Sequence, residues 1–212
     1  MFLLSSCDGR GNGAAAINDS TTLQIEAVQA VPKTFDEIIE LIKTKNESSS
    51  STYKIREKND KSEIAVIEQI TSGAEISGMT TYYISVWRGQ NGKDFVSVFS
   101  LGCAEGSCNY DMGNFKVYDL SLNDITSQAI DMTAAQKAFT AAIPESEKMG
   151  FKNYTAFMSE VVAVEDKEKE LRFLQANPDE YPQTSLRIVE RYQFDAAKSR
   201  FKVIPPDPES PY

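Results

Sequence analysis

Pairs of short runs that alternate apolar and polar residues dominate this sequence. Side chains point alternately to the two faces of a β-strand, so a period of two predicts strands with one apolar face. Turn-forming residues separate the paired runs, and Asn91-Gly92 in one of these turns favours positive φ. The pairs are 53–57 with 63–70, 82–88 with 94–99, 157–164 with 171–174, and 186–194 with 200–204; single runs lie at 114–118 and 23–28. The pattern predicts a series of antiparallel hairpins.

Two segments have helical spacing instead. Thr34 and Glu37 form a capping-box pattern ahead of Phe35, Ile38, Ile39 and Ile42, which predicts a helix over 34–45 with one apolar face. A second helix is predicted over 133–142, opened by Thr133 and Gln136. The fold class expected is α+β: mainly antiparallel hairpins or a meander, as a sheet or barrel-like, with about two covering helices.

The 212 residues suit one main domain with short terminal segments. We expect a truncated signal, lipobox and flexible tether over 1–22, an antiparallel-β-dominated domain over 23–204, and a proline-rich tail over 205–212. Hairpins starting at 53, 82, 110, 157 and 186 give three intervals of 28 or 29 residues. Internal duplication would explain this spacing, and so would the ordinary length of a hairpin with its connector.

Composition excludes several classes of function. The chain contains no histidine, so it has no Ser-His-Asp relay, HExxH zinc helix or His-ligated haem. Its 22 basic and 31 acidic residues give a net charge of −9, which argues against nucleic-acid binding. Neither a cofactor nor a metal ion is predicted.

The N-terminus suggests a compartment. Leu4-Ser5-Ser6-Cys7, followed by a tract rich in Gly, Ala and Asn, resembles a bacterial lipobox, and the exported features resemble those of Bacteroidetes-type lipoproteins. The resemblance implies lipidation of Cys7 and a place in the bacterial cell envelope, as a periplasmic or outer-membrane lipoprotein. The chain has no run of apolar residues long enough to span a membrane, so a lipid on Cys7 would be its only anchor.

The other two cysteines, Cys103 and Cys108, are separated by four residues that include a glycine and a serine. This spacing allows a tight turn and a disulfide, which an oxidising compartment would favour. Free thiols are the main alternative, and a metal site is a weaker one because no second pair of ligands accompanies the cysteines.

Three residues are candidates for a binding surface. Tyr83 and Trp87 lie on the same face of a predicted strand, where exposed aromatic rings would suit a sugar or a protein partner, although the only tryptophan of a β protein is more often part of the core. Asp111 lies in the oxygen-rich segment 109–114, which would also suit calcium although it lacks the EF-hand pattern.

No catalytic residue is predicted. Without histidine, paired carboxylates are the remaining acid–base chemistry, and the candidates are Asp111, Asp119 and Asp124, or Glu160, Glu165 and Asp166. We therefore expect a non-catalytic envelope protein that binds a protein or glycan partner. The alternative is a glycosidase-like or calcium-dependent hydrolase.

Overall fold

The structure is a computed structural model. It describes residues 33–48, 50–72, 77–142, 156–164, 168–176 and 186–205, all of which belong to the compact unit Pro32–Tyr212. The predicted tether at 1–22, the strand at 23–28, Cys7, and the tail beyond residue 205 lie outside the described residues.

Ten strands in the described residues form two antiparallel sheets, which confirms the predicted α+β class; no closed barrel is formed. The six-stranded sheet has the order β1-β2-β3-β4-β5, and β6 also pairs with β4. Its strands are β1 (Ser51–Asn59), β2 (Ile64–Ser72), β3 (Ser77–Trp87), β4 (Phe95–Ala104), β5 (Ser107–Asn109) and β6 (Phe115–Asp119).

The four-stranded sheet is a meander with the order β10-β9-β8-β7. Its strands are β7 (Ala156–Ala163), β8 (Lys169–Ala176), β9 (Leu186–Asp195) and β10 (Arg200–Ile204). All four predicted hairpins are present, because β1 pairs with β2, β3 with β4, β7 with β8, and β9 with β10. Gly92 has the positive φ, 72°, that the Asn-Gly turn favours.

The described residues contain three α-helices: α1 (Phe35–Lys45), α2 (Thr126–Ala129) and α3 (Met132–Ala141). The capping box of α1 is confirmed, because Glu37 N donates to Thr34 Oγ1 and Thr34 N donates to Glu37 Oε2. The predicted box at α3 is wrong. Asp131 caps this helix by accepting from Ala134 N at 2.9 Å, so Thr133 lies inside the first turn.

Strand β3 is buried on both faces, and this organises the packing. Ile84 and Val86 face α1, whose Phe35, Ile38, Ile39 and Ile42 form a core with them. Trp87 lies on the opposite face and packs toward the four-stranded sheet. One alternating strand therefore supplies two separate cores.

The core shared by the two sheets is rich in aromatic rings. Phe157 of β7 lies at its centre, with ring centroids 5.7 Å from Phe99, 5.7 Å from Phe139 and 5.0 Å from Phe173. These rings meet edge to face, the arrangement that aromatic pairs favour. The core thus connects the six-stranded sheet, the four-stranded sheet and α3.

Candidate functional site

Trp87 is buried, so it does not form the exposed binding surface considered from the sequence. Only 2% of the residue is exposed, its Nε1–H donates to Ser97 Oγ at 2.8 Å, and its ring meets Phe201 at 4.8 Å. The predicted face was right, since Tyr83 and Trp87 do share one face of β3. The four-stranded sheet covers that face, which the strand pattern alone does not reveal.

The other two candidates occupy different settings. Tyr83 is partly buried against the inter-sheet core, with its ring 6.0 Å from that of Phe99. Asp111 is exposed and caps a short 3₁₀ turn by accepting from Gly113 N at 2.6 Å. Asp111 therefore shapes its own loop.

Cys103 and Cys108 form a disulfide across β4 and β5, with Cα atoms 4.0 Å apart. Glu105 and Gly106 make the turn between these strands, and both have positive φ, 52° and 79°. The turn is exposed, so the disulfide closes a short hairpin at the surface.

The carboxylates proposed for hydrolysis have structural partners. Burial raises the pKa of Asp119, but hydrogen bonds from Asn123 and Ser121 outweigh it and lower the pKa overall. The hydrogen bond from Thr126 lowers the pKa of Asp124. A general acid needs a raised pKa, so neither group is suited to that role. Glu160 lies 3.4 Å from Arg172, and Glu165 and Asp166 lie outside the described residues.

The described residues hold neither a cluster of metal ligands nor a helix of membrane-spanning character. They contain no group of three or more His, Cys, Asp or Glu side chains placed to hold a metal ion. None of their helices is long and apolar enough to cross a membrane.

A cleft of about 460 Å³ lies where the two sheets meet. We call it the Lys169 cleft. It is built from the turn before β2, the end of β3, the start of β8 and the end of β9. Its lining residues are Lys61, Ser62, Glu63, Trp87, Arg88, Glu168, Lys169, Gln193 and Phe194. This volume is within the usual range for small-ligand sites.

Lys169 is the principal charged group of this cleft. Its ammonium donates to the backbone carbonyl of Val86 and lies 5.0 Å from the centroid of the Trp87 ring. No carboxylate of the described residues forms an ion pair with it. Burial lowers the pKa of Lys169 to about 8, the nearby charge of Glu63 acts in the opposite direction, and that of Arg88 lowers it further.

The neighbouring carboxylates are engaged by Arg88. Its Nε donates to Glu63 Oε2 at 3.0 Å, and its Nη1 donates to Asp94 Oδ2 at 2.7 Å. Glu63 is held in the left-handed region at φ 52°. Because Arg88 binds both carboxylates, no carboxylate in the part of the chain that the structure describes is in ion-pair contact with the ammonium of Lys169.

Polar groups on the other walls complete the cleft. Ser62 Oγ is buried and has no hydrogen-bond partner among the described residues. Gln193 Nε2 donates to Glu168 Oε2 at 3.0 Å. Phe194 adds an aromatic surface, with its ring 5.8 Å from that of Trp87. The cleft therefore combines cations, carboxylates, an amide and aromatic carbon.

The loop between β3 and β4 is fixed beside the cleft. Gln90 N donates to Ala196 O at 3.0 Å, which joins this loop to the turn between β9 and β10. A Cβ on Gly89 would lie 2.0 Å from the carbonyl oxygen of Lys93, so only glycine fits there. The residues directly after Arg88 are therefore closely packed and joined to the turn between β9 and β10.

Sequence reasoning missed this cleft. Its residues come from four separate segments, and no motif connects them. Lys169 lies in the run Glu165-Asp166-Lys167-Glu168-Lys169-Glu170, whose mixed charges are typical of a solvated turn. Lys169 differs from an ordinary surface lysine only in the folded chain, where the start of β8 contacts the end of β3.

The pKa of Lys169 predicts how stability depends on pH. Between pH about 8 and 10 the unfolded chain holds a proton on Lys169 that the folded chain has largely lost, so stability rises with pH. Relative to Lys169→Met, the wild-type free energy of unfolding should increase by about 1–2 kcal/mol over this range. Urea unfolding followed by circular dichroism measures it.

The matched control is Lys202→Met, at an exposed position of β10. The difference in the free energy of unfolding between Lys202→Met and the wild type should stay constant over the same pH range. If the corresponding difference for Lys169→Met were also independent of pH, this result would contradict the desolvation of Lys169.

Comparison with models of protein families, with curated proteins and with solved structures gave no significant match to this chain. Its function is therefore inferred from the cleft.

Proposed function

We propose that this chain is an exported, lipid-anchored binding protein of the bacterial cell envelope, and that the Lys169 cleft binds an acidic sugar of a glycan. The observation on which this depends is the half-buried ammonium of Lys169, which forms no ion pair with a carboxylate of the described residues and lies in a cleft of ligand size. A buried charge is costly unless it is paired, so a carboxylate entering the cleft would gain a strong, charge-assisted hydrogen bond.

The shape of the site favours a glycan over a protein partner. The cleft is concave, whereas a protein interface usually presents a broad surface of about 800 Å² per partner. Aromatic carbon from Phe194 together with the amide of Gln193 suits a sugar ring and its hydroxyls. The ammonium of Lys169 suits one carboxylate on that ring.

Envelope placement has two supports. The segment ending at Cys7 resembles a lipobox, and Cys103 and Cys108 are joined as expected for a protein of an oxidising compartment. Mass spectrometry of the protein expressed from its full gene should find diacylglycerol on Cys7. An unmodified Cys7 would contradict the anchor without affecting the cleft.

Ligand binding is tested with probes that differ only at one carbon. Calorimetric titration should show binding of glucuronate and of oligosaccharides ending in it, and weaker binding of glucose and of the glucuronate methyl ester. Lys169→Met should weaken glucuronate binding about 10–100-fold, the usual value of a hydrogen bond to a charged group. Lys169→Arg keeps the charge and should retain part of the affinity.

Lys54→Met, at an exposed position of β1, is the control variant and should bind glucuronate as the wild type does. Equal binding of glucuronate and glucose, unchanged binding by Lys169→Met, or no binding of any acidic probe would each overturn the proposed ligand class.

A further inference from the structure

We propose that the side chain of Lys169 is a nucleophilic amine that forms an imine with small carbonyl compounds entering the cleft. This activity goes beyond the proposed binding function: it uses the same cleft but does not require an acidic sugar.

The amine is held at one place in the cleft. It donates one hydrogen bond to the carbonyl of Val86, the last residue but one of β3, and lies over the face of Trp87. Both contacts come from rigid, buried parts of the sheet. The lysine side chain thus reaches the cleft with a fixed terminus, which lowers the entropy cost of reaction.

The surroundings raise the neutral fraction of the amine above that of an ordinary lysine. Desolvation penalises the ammonium, the guanidinium of Arg88 adds to this effect, and the opposing carboxylate of Glu63 is already bound by that guanidinium. Lys61 and Glu168 face the same cleft from the turn before β2 and from the residue preceding β8. At pH about 7, roughly 10% of an amine with a pKa of 8 is neutral, compared with about 0.03% of an ordinary lysine. Lysines activated in this way serve as Schiff-base nucleophiles.

The chemistry is a simple condensation. The nitrogen lone pair of Lys169 adds to the carbonyl carbon, and the π electrons of the carbonyl move to its oxygen. A proton passes from nitrogen to that oxygen to give a carbinolamine, which loses hydroxide and a second nitrogen proton as water. The products are one imine and one water molecule, and no oxidant or reductant takes part. The carboxylates of Glu63 and Glu168 line the cleft in which these protons move.

The test is reductive trapping on the full chain. The protein is incubated at pH about 7 with glycolaldehyde, a neutral probe, or glyoxylate, an anionic one, in the presence of cyanoborohydride, which reduces an imine to a stable secondary amine. Peptide mass spectrometry then gives the modification rate of each lysine. We expect Lys169 to react at least about tenfold faster than the exposed Lys54 and Lys202, because its larger neutral fraction outweighs its lower basicity.

Two variants keep the proposal falsifiable. Arg88→Met removes a positive charge near Lys169 and also the ion pair with Glu63, so the Lys169 rate should fall several-fold at pH 7 because Glu63 is then free to stabilise the ammonium. Lys169→Arg should remove the fast-reacting site and leave Lys54 and Lys202 unchanged. Equal reactivity of Lys169 and the two exposed lysines would overturn the proposal.

The outcome is separable from that of acidic-sugar binding. Fast trapping of Lys169 that excess glucuronate does not slow would uphold the nucleophile and count against the sugar site. Glucuronate binding with slow trapping would uphold the sugar site and reject the nucleophile.

Discussion

Replacing Phe157 with alanine should lower the free energy of unfolding by about 3–5 kcal/mol. Phe157 is 1% exposed, and its ring contacts Phe99 of the six-stranded sheet, Phe139 of α3 and Phe173 of the four-stranded sheet. Truncation removes contacts to all three units and leaves a cavity that no single one of them can fill. Urea unfolding followed by far-UV circular dichroism measures the loss.

The size of this loss tests whether the two sheets share one core. Val203→Ala is the control, because Val203 is 58% exposed on the edge strand β10 and should cost less than about 0.5 kcal/mol. The loss of stability for Phe157→Leu should lie between those of Phe157→Ala and Val203→Ala, since leucine keeps part of the buried volume. A loss near 1 kcal/mol for Phe157→Ala would show that the sheets do not pack through this ring.

Glu170→Gln should lower the free energy of unfolding by about 2–4 kcal/mol at neutral pH. Glu170 is 4% exposed and receives two hydrogen bonds from Arg191, at 2.7 and 2.6 Å, and one from Arg172 at 2.7 Å. Glutamine keeps the size of the side chain but removes the buried negative charge that the guanidinium groups of Arg191 and Arg172 share. Breaking a buried pair from one side is costly for this reason.

The same variant should change the response to acid. The hydrogen bond from Arg191 holds the pKa of Glu170 below its ordinary value, despite burial. A lowered pKa contributes stability that is fully present above the unfolded value near 4.5 and is lost as the pH falls through the folded value. The wild type should therefore lose stability below about pH 4.5 more steeply than the variant does.

Glu160→Gln is the matched control for Glu170→Gln. Glu160 also faces Arg172, but at 3.4 Å and with 38% of its side chain exposed, so its loss should cost less than about 1 kcal/mol. Equal effects of the two variants would contradict the special role of the buried carboxylate.

Local patterns predicted the elements of this fold well. Alternation identified both strands of each predicted hairpin, and Thr34 with Glu37 identified the start of α1, because these signals depend on neighbouring residues only. The N-terminus of α3 was misplaced since Asp131 competes with Thr133 as a cap and lies two residues earlier. Both Asp and Thr are good N-cap residues, so residue type alone does not decide which of the two begins the helix.

These local patterns did not predict how the two sheets pack against each other. Alternation placed Tyr83 and Trp87 on one face of β3, but a strand with two apolar faces looks the same whether one face meets solvent or another sheet. The Lys169 cleft was missed for a related reason. Lys169 is unusual only because β8 brings it against Val86 and Trp87, 83 and 82 positions earlier in the chain.

The single tryptophan has a practical consequence. Trp87 is the only indole in the chain, it is buried between the sheets, and the amine of Lys169 lies over its ring. Indole emission responds to the polarity around the ring and to charges close to its face. The chain thus contains one intrinsic fluorophore beside the amine, and its emission should report the loss of the Lys169 proton and the arrival of a ligand without any attached label.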